Sequence, residues 1–157
     1  LLTQVIGRAG RADKPGRALI QTYNPDNETI NLACKQDYVG FYESAIRLRK
    51  QLAFPPFCEF VLLGVHGEDE PEVLDLTLKL DRKLREYTAR EFSDVPMYIF
   101  GPFEAPIYKV NNVYRMRIII KCQVTKRMRE LISRLLADFP KASVKAAISV
   151  DVNPASM

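Results

Sequence analysis

Two arginines, Arg8 and Arg11, stand three residues apart, each preceded by a glycine, in the run Gln4-Val5-Ile6-Gly7-Arg8-Ala9-Gly10-Arg11. A guanidinium is always charged and presents a planar fork of donors that matches phosphate oxygens. Two of them at this spacing could grip one polyphosphate from the same side, and the glycines leave the backbone free to turn sharply or approach a ligand. A helix terminus with solvent-exposed arginines has the same spacing, because short Gly/Arg patterns recur by chance.

A second basic set lies in Tyr114-Arg115-Met116-Arg117-Ile118-Ile119-Ile120-Lys121-Cys122. Read as a strand, it sends Tyr114, Met116, Ile118, Ile120 and Cys122 to one face and Arg115, Arg117, Ile119 and Lys121 to the other. Arg115 and Arg117 are then about 6 to 7 Å apart, comparable to the distance between neighbouring phosphates along a strand of DNA, and Lys121 follows about twice as far on, beyond Ile119. Lys109 and Tyr108 in the preceding segment extend the track, the tyrosine as a surface on which a base could stack. A solvated row that protects the sheet from aggregation is the alternative. Lys126, Arg127, Arg129 and Arg134 crowd the next helix and read as a solvated face, although cations at a helix N-terminus are mildly unfavourable unless an anion compensates.

Other residue types offer less. Cys34, Cys58 and Cys122 are odd in number and far apart, without Cys-x-x-Cys spacing, so neither a disulfide framework nor a zinc site is expected. His66 is the single histidine and sits in an apolar stretch, which suits a structural role. No Walker A loop, Gly-x-x-x-x-Gly-Lys-Ser/Thr, and no acidic magnesium motif occurs, so no cofactor is expected to bind this chain by itself.

The elements that must position these groups follow from periodicity. Leu1 to Ala9 has helical spacing that places Gln4 and Arg8 on a common side, Asp13-Lys14-Pro15-Gly16 is a turn, and Arg17 to Tyr23 reads as a short strand. Helices are predicted over Glu28–Lys35 and Asp37–Leu52, the second with Tyr38, Phe41, Tyr42, Ala45, Ile46 and Leu52 as a core stripe. Pro55-Pro56 closes this connector. Phe60 to Val65 is a buried strand, and Asp69-Glu70-Pro71 opens a long helix whose stripe is Val73, Leu76, Leu80, Leu84 and Tyr87. Met97 to Phe100 is a strand, Gly101-Pro102 interrupts it, and Glu104 to Val110 continues extended to a turn at Asn111-Asn112. After the Val113–Cys122 strand, Thr125 caps a helix with Met128, Leu131, Ile132, Leu135, Leu136 and Phe139 inward. Val144, Ala146, Ile148, Val150 and Val152 then alternate along a final strand. The order from Phe60 onward is β-α-β-β-α-β, the pattern of an α+β split plait with two helices on one face of a four-stranded sheet. The other sheet face stays open and carries the basic row.

With 157 residues, 47% of them apolar, the chain has ample material for a core. A net charge of +4 and a pI near 9.0 lean towards polyanionic partners. No run approaches the roughly 20 apolar residues of a membrane span and the start lacks a signal-peptide layout, so a cytoplasmic protein without membrane association is expected. The chain begins with Leu1 at the edge of a motif, as an excised piece of a longer protein would.

Q-x-x-G-R-x-G-R resembles the last conserved motif of superfamily 2 helicases, in which arginines reach from the second motor lobe to the γ-phosphate of ATP. The longer run from Leu2 to Arg11, with Asp13-Lys14-Pro15-Gly16 and Ile20-Gln21-Thr22-Tyr23-Asn24-Pro25, is similar to the bacterial primosomal protein N′ (PriA) family of replication-restart DNA helicases. Asp37-Tyr38, Phe41-Tyr42-Glu43, Phe54-Pro55-Pro56-Phe57 and the closing Val150-Asp151-Val152-Asn153-Pro154 strengthen the likeness. The resemblance implies three parts: residues 1–27 as a remnant of the second helicase lobe, 28–57 as a helical connector, and 58–157 as a C-terminal α+β domain that binds DNA or partners. It further implies 3′ to 5′ unwinding of DNA by the parent, with ATP and Mg2+, zinc held by a module absent from this chain, and action at branched forks and single-stranded DNA. Single-stranded-DNA-binding protein and other primosome components are the implied partners. Arg8 and Arg11 would touch the γ-phosphate and Gln4 would sit between nucleotide and DNA responses. This stretch alone would bind without turning over ATP. Two rival readings are a freestanding nucleic-acid-binding plait, which leaves Gln4 to Arg11 without purpose, and a small-molecule-binding regulatory plait.

Overall fold

The computed structural model describes residues 1–11, 14–139 and 145–155, those at 10, 11, 14 and 15 by backbone alone. The chain divides into two compact units, Leu1–Phe54 and Pro55–Met157.

In the first unit a five-residue helix α1 (Leu2–Ile6) leads to a minimal antiparallel ribbon of β1 (Gly10–Arg11) and β2 (Lys14–Pro15). Gly7 ends the helix at φ −65°, an ordinary right-handed conformation, so the predicted helix to Ala9 stops short. Residues 17–23 form no strand, contrary to expectation. A strand needs a neighbour for its backbone N–H and C=O groups, and this segment has none among the described residues. Helices α2 (Glu28–Cys34) and α3 (Tyr38–Gln51) match the sequence reading, and each begins at a side-chain cap. Asn27 accepts from the Ile30 amide, and Asp37 from the Gly40 amide. The α3 stripe is not a core, however: Tyr38 is 74% exposed, and Phe41, Tyr42 and Leu52 are exposed as well. Three short helices offer too little surface to cover it.

The second unit carries the core. Strand β3 (Glu59–Gly67), helix α4 (Glu70–Ala89), strands β4 (Met97–Val110) and β5 (Val113–Cys122), helix α5 (Lys126–Ala137) and strand β6 (Ala146–Val152) follow in the predicted order. The four strands form one antiparallel sheet in the order β4-β5-β3-β6. Each β-α-β unit therefore leaves a gap that a strand of the other fills, which makes this the α+β split plait. Val61, Leu63 and Val65 of β3 and Met116, Ile118 and Ile120 of β5 pack against Val73, Leu76, Leu80 and Leu84 of α4 and Met128, Leu131 and Leu135 of α5. All are buried, and each fully buried aliphatic side chain of this kind contributes about 1.5 to 3 kcal/mol. Asp69 accepts from the Glu72 amide at the start of α4, as Thr125 does from the Met128 amide at the start of α5. Such caps are worth about 1 kcal/mol each.

The predicted final strand starts at Ala146 among the described residues, and Val144 lies outside them. It ends at a clamp built by Asn153, whose φ of 55° is left-handed. Its Oδ1 accepts from the Phe60 amide at 3.0 Å, its own amide donates to the Phe60 carbonyl at 2.8 Å, and its Nδ2 donates to Glu59 at 3.2 Å. The closing signature is thus a fastener between β6 and β3.

Candidate nucleic-acid interface

The face of the sheet away from α4 and α5 is assembled by register. On β5, Arg115, Arg117, Ile119 and Lys121 point outward while Met116, Ile118, Ile120 and Cys122 are buried, as the alternation predicts. Opposite them on β3 stand His66, Gly64, Leu62 and Phe60, and beyond those on β6 stand Ala147, Ser149 and Asp151. His66 is exposed here beside Arg115.

Arg115, Arg117, His66 and Ser149 line a groove of about 610 Å³ whose floor is Leu62 and Gly64. Gly64 keeps that floor low, since a Cβ on it would come within 2.6 Å of the Ser149 hydroxyl. Neither Arg115 nor Arg117 makes an ion pair or side-chain hydrogen bond among the described residues, and the Nε of Arg117 is buried without an acceptor. A buried donor left unpaired costs about 1 to 3 kcal/mol. An anion in the groove would remove that cost. Lys121 lies 6.0 Å from the centre of the Phe60 ring, at the other end of the row.

Two predicted members of the track are elsewhere. Between Glu104 and Lys109 the ladder slips, five residues of β4 running against two of β5, and Lys109 then pairs with Tyr114. An odd number of extra residues turns a side chain to the opposite face. Lys109 accordingly sits on the Tyr114 side, its Nζ donating to the Tyr114 hydroxyl at 2.8 Å and lying 4.4 Å from that ring's centre. Tyr108 packs against the core and edge-on to Tyr114, with its hydroxyl donating to Glu70 at 2.8 Å. That bond pushes its phenol up to about 12, and its ring is partly buried against the core.

The sequence reading missed an aromatic row. Tyr98, Phe100 and Phe103 of β4 are 70, 44 and 46% exposed and pair with Lys121, Ile119 and Arg117, on the open face. Alternation over Met97–Phe100 was a usable signal for the first two. Phe103 joins them only because a bulge inserts one extra residue between Phe100 and Phe103. Gly101 makes the bulge at φ +105°, a left-handed conformation costly for a side-chain-bearing residue, and Arg85 of α4 donates to its carbonyl at 3.1 Å.

The basic cluster on α5 is partly committed to the protein. Arg127 pairs with Asp94 and Glu130 and lies over the Phe92 ring, and Arg134 pairs with Glu91. Asp94 and Glu130 offset the cation in the first turn of α5, whereas Arg134 stands in its last turn, where a positive charge suits the helix dipole.

In the first unit Gln4 and Arg8 are both exposed, Gln4 on α1 and Arg8 in the turn after it. Arg11 is in β1, and its side chain lies outside the described residues. A hollow of about 370 Å³ formed by Leu2, Thr29, Leu32, Ala33, Tyr38 and Phe41 is lined by neither Gln4 nor Arg8. Among the described residues no cluster of three or more His, Cys, Asp or Glu could hold a metal, and no helix is long and apolar enough to cross a membrane.

Residues 50–155 match the family model of the primosomal protein N C-terminal domain. The chain is 31% identical over its whole length to replication restart protein PriA of Bacillus subtilis, of which it covers 19%. It is 32% identical over 87% of its length to the Thermotoga maritima protein of that name, covering 17% of it, and 30% identical over 99% of its length to the Synechocystis one, covering 18%. The chain thus spans about a fifth of the length of these curated relatives. The match over two thirds of its residues makes it a member of the primosomal protein N C-terminal domain family.

Proposed function

We propose that this chain is the C-terminal part of an ATP-dependent 3′ to 5′ DNA helicase acting in primosome assembly and replication fork restart. In this reading the plait holds DNA across its open face. The observation that carries it is the pair Arg115 and Arg117, side by side over one groove and without ion-pair partners among the described residues, on the sheet face away from α4 and α5. Cations arranged in this way bind phosphates and release counterions. The names of the relatives supply the setting of replication restart, and a cytoplasmic location goes with it. Branched forks and single-stranded DNA are the proposed substrates. Single-stranded-DNA-binding protein and other primosome components are the proposed partners.

Arg8 and Arg11 are proposed as γ-phosphate contacts and Gln4 as their neighbour in the same motif. The residues of this chain do not amount to an ATP site, because arginines stabilise phosphoryl transfer only where the phosphate and Mg2+ are held by other groups. ATP, Mg2+ and zinc therefore belong to the rest of the proposed helicase, and this chain alone binds DNA without hydrolysing ATP.

The test is DNA binding by the 157-residue chain as a function of salt. Replacing both Arg115 and Arg117 by Ala should weaken binding and lower the log–log salt slope by about 1.8 for duplex, at about 0.9 per lost phosphate contact. An unchanged slope and affinity would remove the open face as the DNA surface.

A further inference from the structure

Phosphate contacts leave the exposed aromatic row on β4 unexplained. Rings as exposed as those of Tyr98, Phe100 and Phe103, gathered on one strand, mark a binding surface. They run parallel to the cation row, each about one strand spacing, ~4.8 Å, from its partner on β5. We propose that this half of the open face binds single-stranded DNA, with bases stacked on Tyr98, Phe100 and Phe103 and the backbone held by Arg117. The proposal rests on the reading of the open face as a DNA surface and names the form of DNA it takes.

Three features favour an unpaired strand over a duplex. Base faces are covered by neighbours in a duplex and free in a single strand, so exposed rings can stack only on the latter. Alternate residues along a strand lie about 7 Å apart, roughly twice the ~3.4 Å base step of duplex DNA. Rings at that pitch cannot follow stacked bases one for one, and they suit a strand whose bases are drawn apart. Finally, the Arg117 Nε is a buried donor without an acceptor, directly across the ladder from Phe103. A phosphate beside a base stacked on Phe103 would supply that acceptor. Asp151 on β6 is the carboxylate at the far edge of the same face, two strands from the cation row, which favours a path along β4 and β5.

The test compares a labelled dT oligomer of about 12 nucleotides, within the usual site size of such modules, with a hairpin duplex by fluorescence anisotropy. The variant Phe100→Leu with Phe103→Leu removes the rings and keeps apolar side chains and charge. Single-strand affinity should fall about tenfold or more, duplex affinity should stay within twofold, and the salt slope should be unchanged because no phosphate contact is lost. Tyr98→Phe, which keeps the ring, should bind the oligomer as the parent does. Should the double variant lose its folded circular dichroism spectrum, Tyr98→Leu, at the most exposed ring, takes its place. Equal weakening of both ligands, or no weakening of either, overturns the stacking proposal while the arginine pair can still prove to bind DNA. Arg115→Ala with Arg117→Ala leaving both affinities intact would instead bring down the underlying reading.

Discussion

Arg117 should be a residue that the fold would be better without. Its Nε is buried with no acceptor, and its stem lies in the sheet between Gly64 and Phe103. Replacing it by Met keeps an unbranched apolar stem of similar reach and removes the orphaned donor. Leaving a buried donor unpaired costs about 1 to 3 kcal/mol, and part of that is offset because the terminal guanidinium nitrogens can still reach solvent. The net expectation for Arg117→Met is a gain of about 1 kcal/mol. For a unit of this size that raises the melting temperature by about 4 to 8 °C. Urea titration followed by circular dichroism should show a higher midpoint at unchanged slope, the sign of changed stability without changed compactness. In the same variant DNA affinity should drop, because a charge-assisted bond to phosphate is worth about 1.5 to 3 kcal/mol. The salt slope should shrink by about 0.7 on a single strand. Stability and binding would thus move in opposite directions. A variant destabilised by more than about 1 kcal/mol would refute this, for it would mean that the guanidinium is held by the fold itself and is not kept for a ligand.

Burial pushes the Cys122 thiol up to about 11 from an ordinary 9.0. The unfolded chain ionises first as pH rises, so the stability linked to this thiol is complete below about pH 9 and is lost between 9 and 11. Cys122→Val should flatten that decline in urea midpoints measured at pH 8 and pH 10.5. In the full-length helicase proposed above, Arg8→Ala and Arg11→Ala should each cut ATP turnover by about a thousandfold or more while sparing nucleotide binding. Turnover at the parental rate in both would exclude the γ-phosphate role.

Local periodicity was enough for the elements of the plait. The stripes on α4 and α5 and the alternation along β5 depend only on where side chains point from a regular backbone, and both survive in the structure. Their sequence order then restricts the sheet to few arrangements, because a strand next in line after a helix must come back beside its fellows. The same reasoning failed on β4, where Lys109 lands on the helix side and Phe103 on the open side. Bulges are defined by how many residues oppose those of a partner strand, and one strand's sequence does not contain that count. Failure on α3 has another cause. Its stripe is amphipathic in pattern, but burial needs a second surface, and none of its residues is buried in this chain.

The amino-acid sequence by itself determined the family, the basic row and the order of the plait, because motifs and side-chain periods are written locally along the chain. Tertiary structure decided which groups share the open face. Pairing register set the aromatic row beside Arg117 and Lys121, took Tyr108 and Lys109 away from them, and left one arginine nitrogen buried without an acceptor. Those are relations between strands, and they exist only once the strands have met.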